Sequence, residues 1–326
     1  HTEQSFFVSI AHQCGAFAKA QGCRASYEAA CVCGKQYTVL VVGENKDKNG
    51  LALDEQGNLE RKERQPLKAD YKPGGTKIME ALRAITTTGI NVMLNESVVA
   101  ALRGNLSGEV LCPDDAGYDE ARSLWNARFD KRPALIVRCA DSNDVVHSVN
   151  FARAHRIPVA VRGGGHNVAG SGACDGGLLL DMSQMKSVQI DPVNRTACAE
   201  PGLTWGEFDR ATQEFGLATT GGICSQAGIA GLTLGGGFGW LMRKYGLALD
   251  NLLSVDIVCG DGELRTASAT ENADLFFGVR GTHSNLGIVT SLQYQLHPVG
   301  PMVLAGMVLH PLAKGKEVLR FYRDYT

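Results

Sequence analysis

The sequence predicts an α+β fold, and three observations predict it. The apolar, β-branched runs from Ala134 to Cys139 and from Ile157 to Val161 flank a helical stretch from Asp144 to His155. That stretch carries Val145, Val146, Val149 and Ala152 on one face, so the whole reads as a β-α-β unit. Antiparallel hairpins come next: Val188 to Ile190 and Thr196 to Ala199 flank Asp191-Pro192-Val193-Asn194, and Leu252 to Cys259 and Glu263 to Thr266 flank Asp261-Gly262. Between the hairpins a helix opens on Thr204 as N-cap, with Glu207 as its capping-box partner and Leu203 and Phe208 as a hydrophobic staple, and it ends at Gly216.

In chain order, residues 1–92 carry no motif that can be tied to chemistry. Tyr37 to Val42 reads as a strand, Glu44 to Lys72 as a solvated stretch of mixed charge, and Ile78 to Ile85 as a weak helix. Met79 and Met93 are both plausible starts, and the change in character there suggests that the segment before Met79 is not native to the domain behind it. A domain is expected over 93–300 and the beginning of another over 301–326. Within the first, Ser97 to Arg103 is helical and Gly177 to Met182 is a buried strand. Ala273 to Val279 is helical again and Leu286 to Leu296 a strand. Met302 to Leu309 reads as one more strand, and a helix starts at Gly315.

Length and composition bound the function. With 326 residues, 44% hydrophobic and 20% charged, the chain is an ordinary globular protein of roughly two domains. A net charge of −2 with no basic excess argues against a nucleic-acid partner. No apolar run reaches the ~20 residues of a membrane span. Ten scattered cysteines include no Cys-x-x-Cys pair, so neither a zinc site nor a disulfide framework is expected. Phe6 to Ala11 is too short for a signal sequence. A cytoplasmic protein is the resulting expectation, with no metal.

Two glycine-rich stretches carry the chemistry. The first succeeds a strand and reads Arg162-Gly163-Gly164-Gly165-His166-Asn167. Its bare backbone can turn several N–H groups toward an anion, Arg162 suits a pyrophosphate, and His166 offers a nucleophilic ring nitrogen. The same residues also read as a plain glycine turn with a surface histidine. The second runs from Gly221 to Gly239 and spaces Gly228, Gly231 and Gly235 so that one face lacks side chains, a surface on which a flat ring can lie.

Taken together, the motifs resemble the p-cresol methylhydroxylase and vanillyl-alcohol oxidase superfamily of flavoproteins, and most closely the bacterial branch of the berberine-bridge-enzyme-like FAD-linked oxidases. The resemblance covers roughly 105–301 and rests on the Arg162 to His166 run, Leu180-Asp181-Met182-Ser183 and Pro201-Gly202. It also rests on the Gly228 to Gly237 cluster, Arg243 to Leu247, Asp250-Asn251 and Asn285 to Thr290. It implies a PCMH-type FAD-binding domain of two α/β subdomains, followed by the start of a truncated substrate domain. By position, FAD would be held by Arg162, Gly163, Gly164, Gly165, His166, Asn167, Gly170, Ser171, Cys224, Gly228, Gly231, Leu232, Asn251, Gly287, Ile288 and Val289. His166 matches the family histidine bonded to the flavin 8α-methyl. Cys224, with the spacing of the bicovalent relatives, would add a second bond, or else is a small buried thiol.

The family oxidises alcohols, amines or activated C–H groups by hydride transfer to flavin. The expected activity is therefore oxidation of a hydroxylated small molecule, a sugar or a secondary metabolite, with O2 as re-oxidant. A dehydrogenase with another acceptor and a non-catalytic FAD-binding fragment are the alternatives. A nicotinamide enzyme is disfavoured because no complete Gly-x-Gly-x-x-Gly occurs. Thr282, His283 and Ser284 stand where relatives have glycines. The catalytic base, a tyrosine of the substrate domain in the family, is expected beyond Thr326, with Tyr322 and Tyr325 on a helix instead.

Overall fold

The computed structural model describes residues 81–281, 285–303 and 310–325, together with the main chain of four short strands between residues 25 and 61. Two compact units divide the chain, one of residues 1–75 with 304–326 and the other of residues 76–303. In the first, β1 (Ala25–Ala30) pairs antiparallel with β2 (Gln36–Val41), and β3 (Leu51–Leu53) with β4 (Leu59–Arg61). The strand expected at Tyr37 is thus present. The β3–β4 pairing interrupts the stretch read as merely solvated. The strand expected from Met302 to Leu309 falls mostly outside the described residues, and Met302 and Val303 are not in a strand.

The second unit opens on a hairpin, β5 (Leu82–Ile85) against β6 (Asn91–Leu94). This corrects the helix expected at Ile78 to Ile85, of which 78–80 lie outside the described residues. Thr86 to Gly89 form the turn of this hairpin, and pairing of β5 with β6 across it sets the extended chain. The helical spacing of the apolar residues was too weak to prevail. Ala84 and Leu94 are buried in the same core as the helices and sheet after them, and Ile85 N–H donates to the Gly176 carbonyl at 2.8 Å. The domain boundary expected at 92/93 therefore cuts this hairpin, and the unit begins earlier.

The first subdomain holds a four-stranded sheet in the order β7-β8-β10-β9, from β7 (Glu109–Leu111), β8 (Leu135–Arg138), β9 (Val159–Arg162) and β10 (Leu178–Asp181). Strands β8, β9 and β10 are parallel, and β7 is an antiparallel edge. Alternation along β10 explains why Leu178, Leu179 and Leu180 are all fully buried. Leu178 and Leu180 enter the core shared with α1 (Glu96–Gly104), while Leu179 faces α2 (Tyr118–Arg122) with Ala160 and Ile136. The crossover helix α3 (Ser142–His155) starts earlier than expected because Asp141 caps it, accepting from the Asn143 and Asp144 amides. The buried Asp144 carboxylate ties that start to the chain before β7 through the Ser107 and Gly108 amides at 2.8 and 2.9 Å.

The second subdomain is a five-stranded antiparallel sheet in the order β11-β12-β16-β14-β15. Its strands are β11 (Val188–Asp191), β12 (Thr196–Ala199), β14 (Leu252–Cys259), β15 (Leu264–Ser268) and β16 (Gly287–Gln295), with a two-residue β13 (Leu217–Ala218) outside the sheet. Helix α4 (Trp205–Gln213) has the expected capping box, Thr204 N–H donating to the Glu207 carboxylate at 2.8 Å. Trp205, Phe208 and Tyr294 meet edge to face under it. Helices α5 (Ile229–Leu234), the single-turn α6 (Met242–Tyr245) and α7 (Ala273–Val279) complete this half. The central strands serve both subdomains: Val258 and Ile288 join the core around α3, while Ile257 and Val289 join the core around Trp205. A short β17 (His297–Pro298) pairs with β13, and α8 (Gly315–Tyr325) lies in the other unit. No helix among the described residues is long and apolar enough to cross a membrane.

Candidate functional site

Strand β9 empties into the first glycine stretch, and α5 is preceded by the second. The two meet at Gly164 and Gly228. A Cβ on Gly164 would stand 2.8 Å from the Gly228 Cα, and one on Gly228 would stand 2.9 Å from the Gly164 Cα. Side chains are excluded on both sides, so the loops of the two subdomains cross main chain to main chain. The second loop is held against α4: Trp205 N–H donates to the Ala227 carbonyl at 2.9 Å, and Ile229 N–H to the Leu203 carbonyl at 3.0 Å. Among the described residues, no acceptor meets the main-chain N–H groups of Gly163, Gly164 and Gly165, which leaves them for an anion.

His166 sits at this crossing. Burial pushes its pKa below the ordinary histidine value, and a hydrogen bond to the Gln226 main chain pulls the other way. The Trp125 indole stacks on its ring with centroids 5.6 Å apart and planes 21° apart. Asn167 shapes the rest of the loop, its Oδ1 accepting from the Ala169 and Ser171 amides at 2.9 and 3.2 Å. Gly170 has φ +69° and lies against the Phe129 ring, where no side chain fits.

A brace of residues 125–131, not anticipated from the sequence, fixes the first loop from outside. Trp125 N–H donates to the Gly165 carbonyl at 3.1 Å and Asn126 Nδ2 to the Val168 carbonyl at 2.9 Å. Lys131 Nζ donates to the carbonyls of Gly170 and Ala173 at 2.8 and 3.0 Å. The visible signal was a Trp-Asn pair followed by Phe129 and Lys131 in a turn-rich segment, which reads as surface until the partner loop is known.

Three groups of the expected FAD contacts are also engaged by the protein itself. The Arg162 side chain lies alongside Gly165 of the loop, its Nε buried and without a hydrogen-bond partner. Ala160 faces α2, so Arg162, two residues on, faces α2 as well, where it donates to the Ala121 and Glu120 carbonyls and lies 4.0 Å from Asp181. Asn251 is buried and fully used by the protein. Its Nδ2 donates to the Tyr245 and Leu247 carbonyls at 2.9 and 2.8 Å, and its Oδ1 lies 2.6 Å from His297 Nε2. The side chains of Ile288 and Val289 belong to the two cores, and Gly287 packs against the Val258 carbonyl. These three residues offer a ligand only their main chain. Opposite β14, that edge of 287–289 has no strand partner among the described residues, since β12 pairs only from Leu292 on.

The remaining candidate residues lie on or beside the two loops. Cys224 is an exposed free thiol two residues before Gln226, and its carbonyl accepts from Ala227 N–H at 3.1 Å. Gly231 is exposed, with nothing within 4 Å of where a Cβ would stand, while Leu232 packs over Gly222 and Gly237. Trp205 Nε1, Thr219 Oγ1 and Thr220 Oγ1 are buried without a hydrogen-bond partner along the chain leading into the second loop. Ser171 is exposed at the rim of the first loop. Thr282, His283 and Ser284 lie outside the described residues. No group of three or more metal-binding side chains occurs among the described residues.

Comparison with known proteins gives this geometry a setting. Residues 133–268 match the family described as FAD binding domain. Over 204 residues the chain is 39% identical to (R)-6-hydroxynicotine oxidase of Paenarthrobacter nicotinovorans, an alignment covering 63% of this chain and 44% of the relative. Among solved structures, Physcomitrella patens BBE-like 1 matches with a TM-score of 0.59 at 32% identity, over 61% of this chain and 44% of that one. Xylooligosaccharide oxidase from Myceliophthora thermophila C1 matches with a TM-score of 0.59 at 32% identity, over 62% and 43%. The chain spans less than half the length of each of these relatives. Residues 133–268 are thus similar to an FAD-binding domain, and the relatives they match include proteins described as oxidases and FAD-linked oxidoreductases.

Proposed function

We propose that FAD lies along the crossing of the two glycine loops, bonded through its 8α-methyl carbon to His166, in an enzyme that oxidises a hydroxylated small molecule and is re-oxidised by O2. The observation that carries this reading is the main-chain contact of Gly164 with Gly228, which brings the open amides of residues 163–165 and the His166 ring beside the bare face at Gly231. The amides hold the pyrophosphate, and Asn167, Gly170 and Ser171 keep that loop's turn. Gly228, Gly231 and Leu232 form the surface for the ring system. When bound, the flavin supplies a two-electron acceptor for hydride from the substrate carbon.

The residues of the chain do the rest. His166, kept neutral by burial, presents a ring-nitrogen lone pair. When FAD is bound, this nitrogen would take the place of one hydrogen of the 8α-methyl group, and the two electrons and two protons released would pass to O2 as hydrogen peroxide. Cys224 makes a second bond at flavin C6 with the same balance. Support for this comes from its exposure and its closeness in sequence to Gln226, which bonds His166.

The substrate class is a sugar or a secondary metabolite, a reading supported by relatives that include a 6-hydroxynicotine oxidase and a xylooligosaccharide oxidase. Residues 301–326 begin the domain that selects it. The setting is the reducing cytoplasm, consistent with the free thiols of Cys112, Cys139, Cys174, Cys198, Cys224 and Cys259.

Acid precipitation followed by peptide mass mapping tests the proposal. Flavin should stay with the protein on the His166 peptide, and flavin on the Cys224 peptide would establish the second bond. Complete release of the chromophore would sink the linkage, and a chain that takes up no FAD would sink the assignment. Stopped-flow re-oxidation by O2 separates an oxidase from a dehydrogenase.

A further inference from the structure

We propose that Trp125 is a positioning residue for His166, its stacked indole fixing the imidazole plane and so deciding which ring nitrogen faces the cofactor. The inference rests on the covalent reading of His166 given above. A neutral imidazole has one N–H and one lone pair. Which nitrogen faces the cofactor depends on how the ring is turned, and rotation about χ2 exchanges the two. The stacked indole stops that rotation, because a flipping ring must sweep through it.

The placement of the indole is itself constrained. Trp125 N–H donates to the Gly165 carbonyl on one side of His166, and Asn126 donates to the Val168 carbonyl on the other. Lys131 and Phe129 then clamp Gly170. The stacking face thus comes from the same subdomain as the loop, and His166 is held in attacking geometry only while it is in place. Trp125 is 40% exposed, so replacing it does not empty a core.

The test uses the chain produced without flavin, by expression under riboflavin starvation, and then incubated with FAD, in wild type, Trp125→Leu and Trp125→Phe. Two quantities are tracked: flavin surviving acid precipitation against time, and the His166 imidazole titration by NMR without flavin. Trp125→Leu is expected to bind FAD reversibly while its conversion to acid-stable flavin slows by roughly tenfold or more, the scale on which misplaced reactants lose rate. Its imidazole should titrate closer to the ordinary 6.5 than in wild type. Trp125→Phe, which keeps a stacking ring, should restore most of both. Equal rates in wild type and Trp125→Leu overturn the proposal and leave the linkage standing. A wild-type chain that releases all its flavin removes the linkage, and this role with it.

Discussion

A methyl group added at Gly164 would meet the main chain of Gly228, whereas one added at Gly231 meets nothing within 4 Å. The two substitutions to alanine therefore separate fold from ligand. Gly164→Ala forces two main chains apart and should lower stability by about 1–3 kcal/mol in urea unfolding, as overpacking does elsewhere. Gly231→Ala, inside helix α5 with open space around it, should not lower the unfolding midpoint of the flavin-free chain but should weaken FAD binding, measured by fluorescence titration. Equal loss of stability in both would contradict the geometry. Histidine protonation adds a second residue-scale expectation. Burial holds both His166 and His297 below 6.5. On acidification through about 6.5 the unfolded chain takes up protons that the folded chain refuses, so stability present above that pH is lost below it. Urea midpoints should fall between about pH 7.5 and 5.5, and His297→Gln should make that fall shallower.

At the scale of elements, local signals were legible where they were self-contained. The capping box of α4, the hairpins across Asp191–Asn194 and Asp261-Gly262, and helix α7 all arise from residues within a few positions of one another. Thr204→Ala accordingly should cost about 1 kcal/mol, read as a shift in the urea midpoint without a change in slope. Long-range partners were not legible. The hairpin of β5 and β6 looked helical because its apolar residues are too few to set a period, and pairing across the Thr-rich turn decided it. Asn251 looked like a ligand contact because a polar residue in a glycine-rich setting carries no sign of its partners. Its three hydrogen bonds, to Tyr245, Leu247 and His297, fix the loop after α6 instead. Asn251→Ala should thus cost about 1–3 kcal/mol through buried groups left unpaired, while flavin attachment to the folded fraction persists.

On the scale of the whole unit, the candidate site exists because one sheet belongs to two cores. Val258 and Ile288 face the α3 side while Ile257 and Val289 face Trp205, so each subdomain packs on an opposite face of β14 and β16, and the glycine loops cross at their junction. The motif residues could be picked out in the sequence; the crossing could not, since it depends on strand order and on the 125–131 brace. A ligand lying across that junction touches both halves and should stabilise them as one body. For a site at 100 times its Kd, linkage adds about 2.7 kcal/mol to unfolding. With His166→Ala, which removes the proposed bond while leaving the open amides, FAD should raise the unfolding temperature in proportion to the logarithm of its concentration, and one transition should be seen by both tryptophan fluorescence and circular dichroism. In wild type the shift should persist after free FAD is dialysed away, because attached flavin no longer obeys mass action. If His166→Ala gains nothing from FAD, or if only one of two transitions moves, the cofactor does not bridge the halves and the crossing is a packing contact alone.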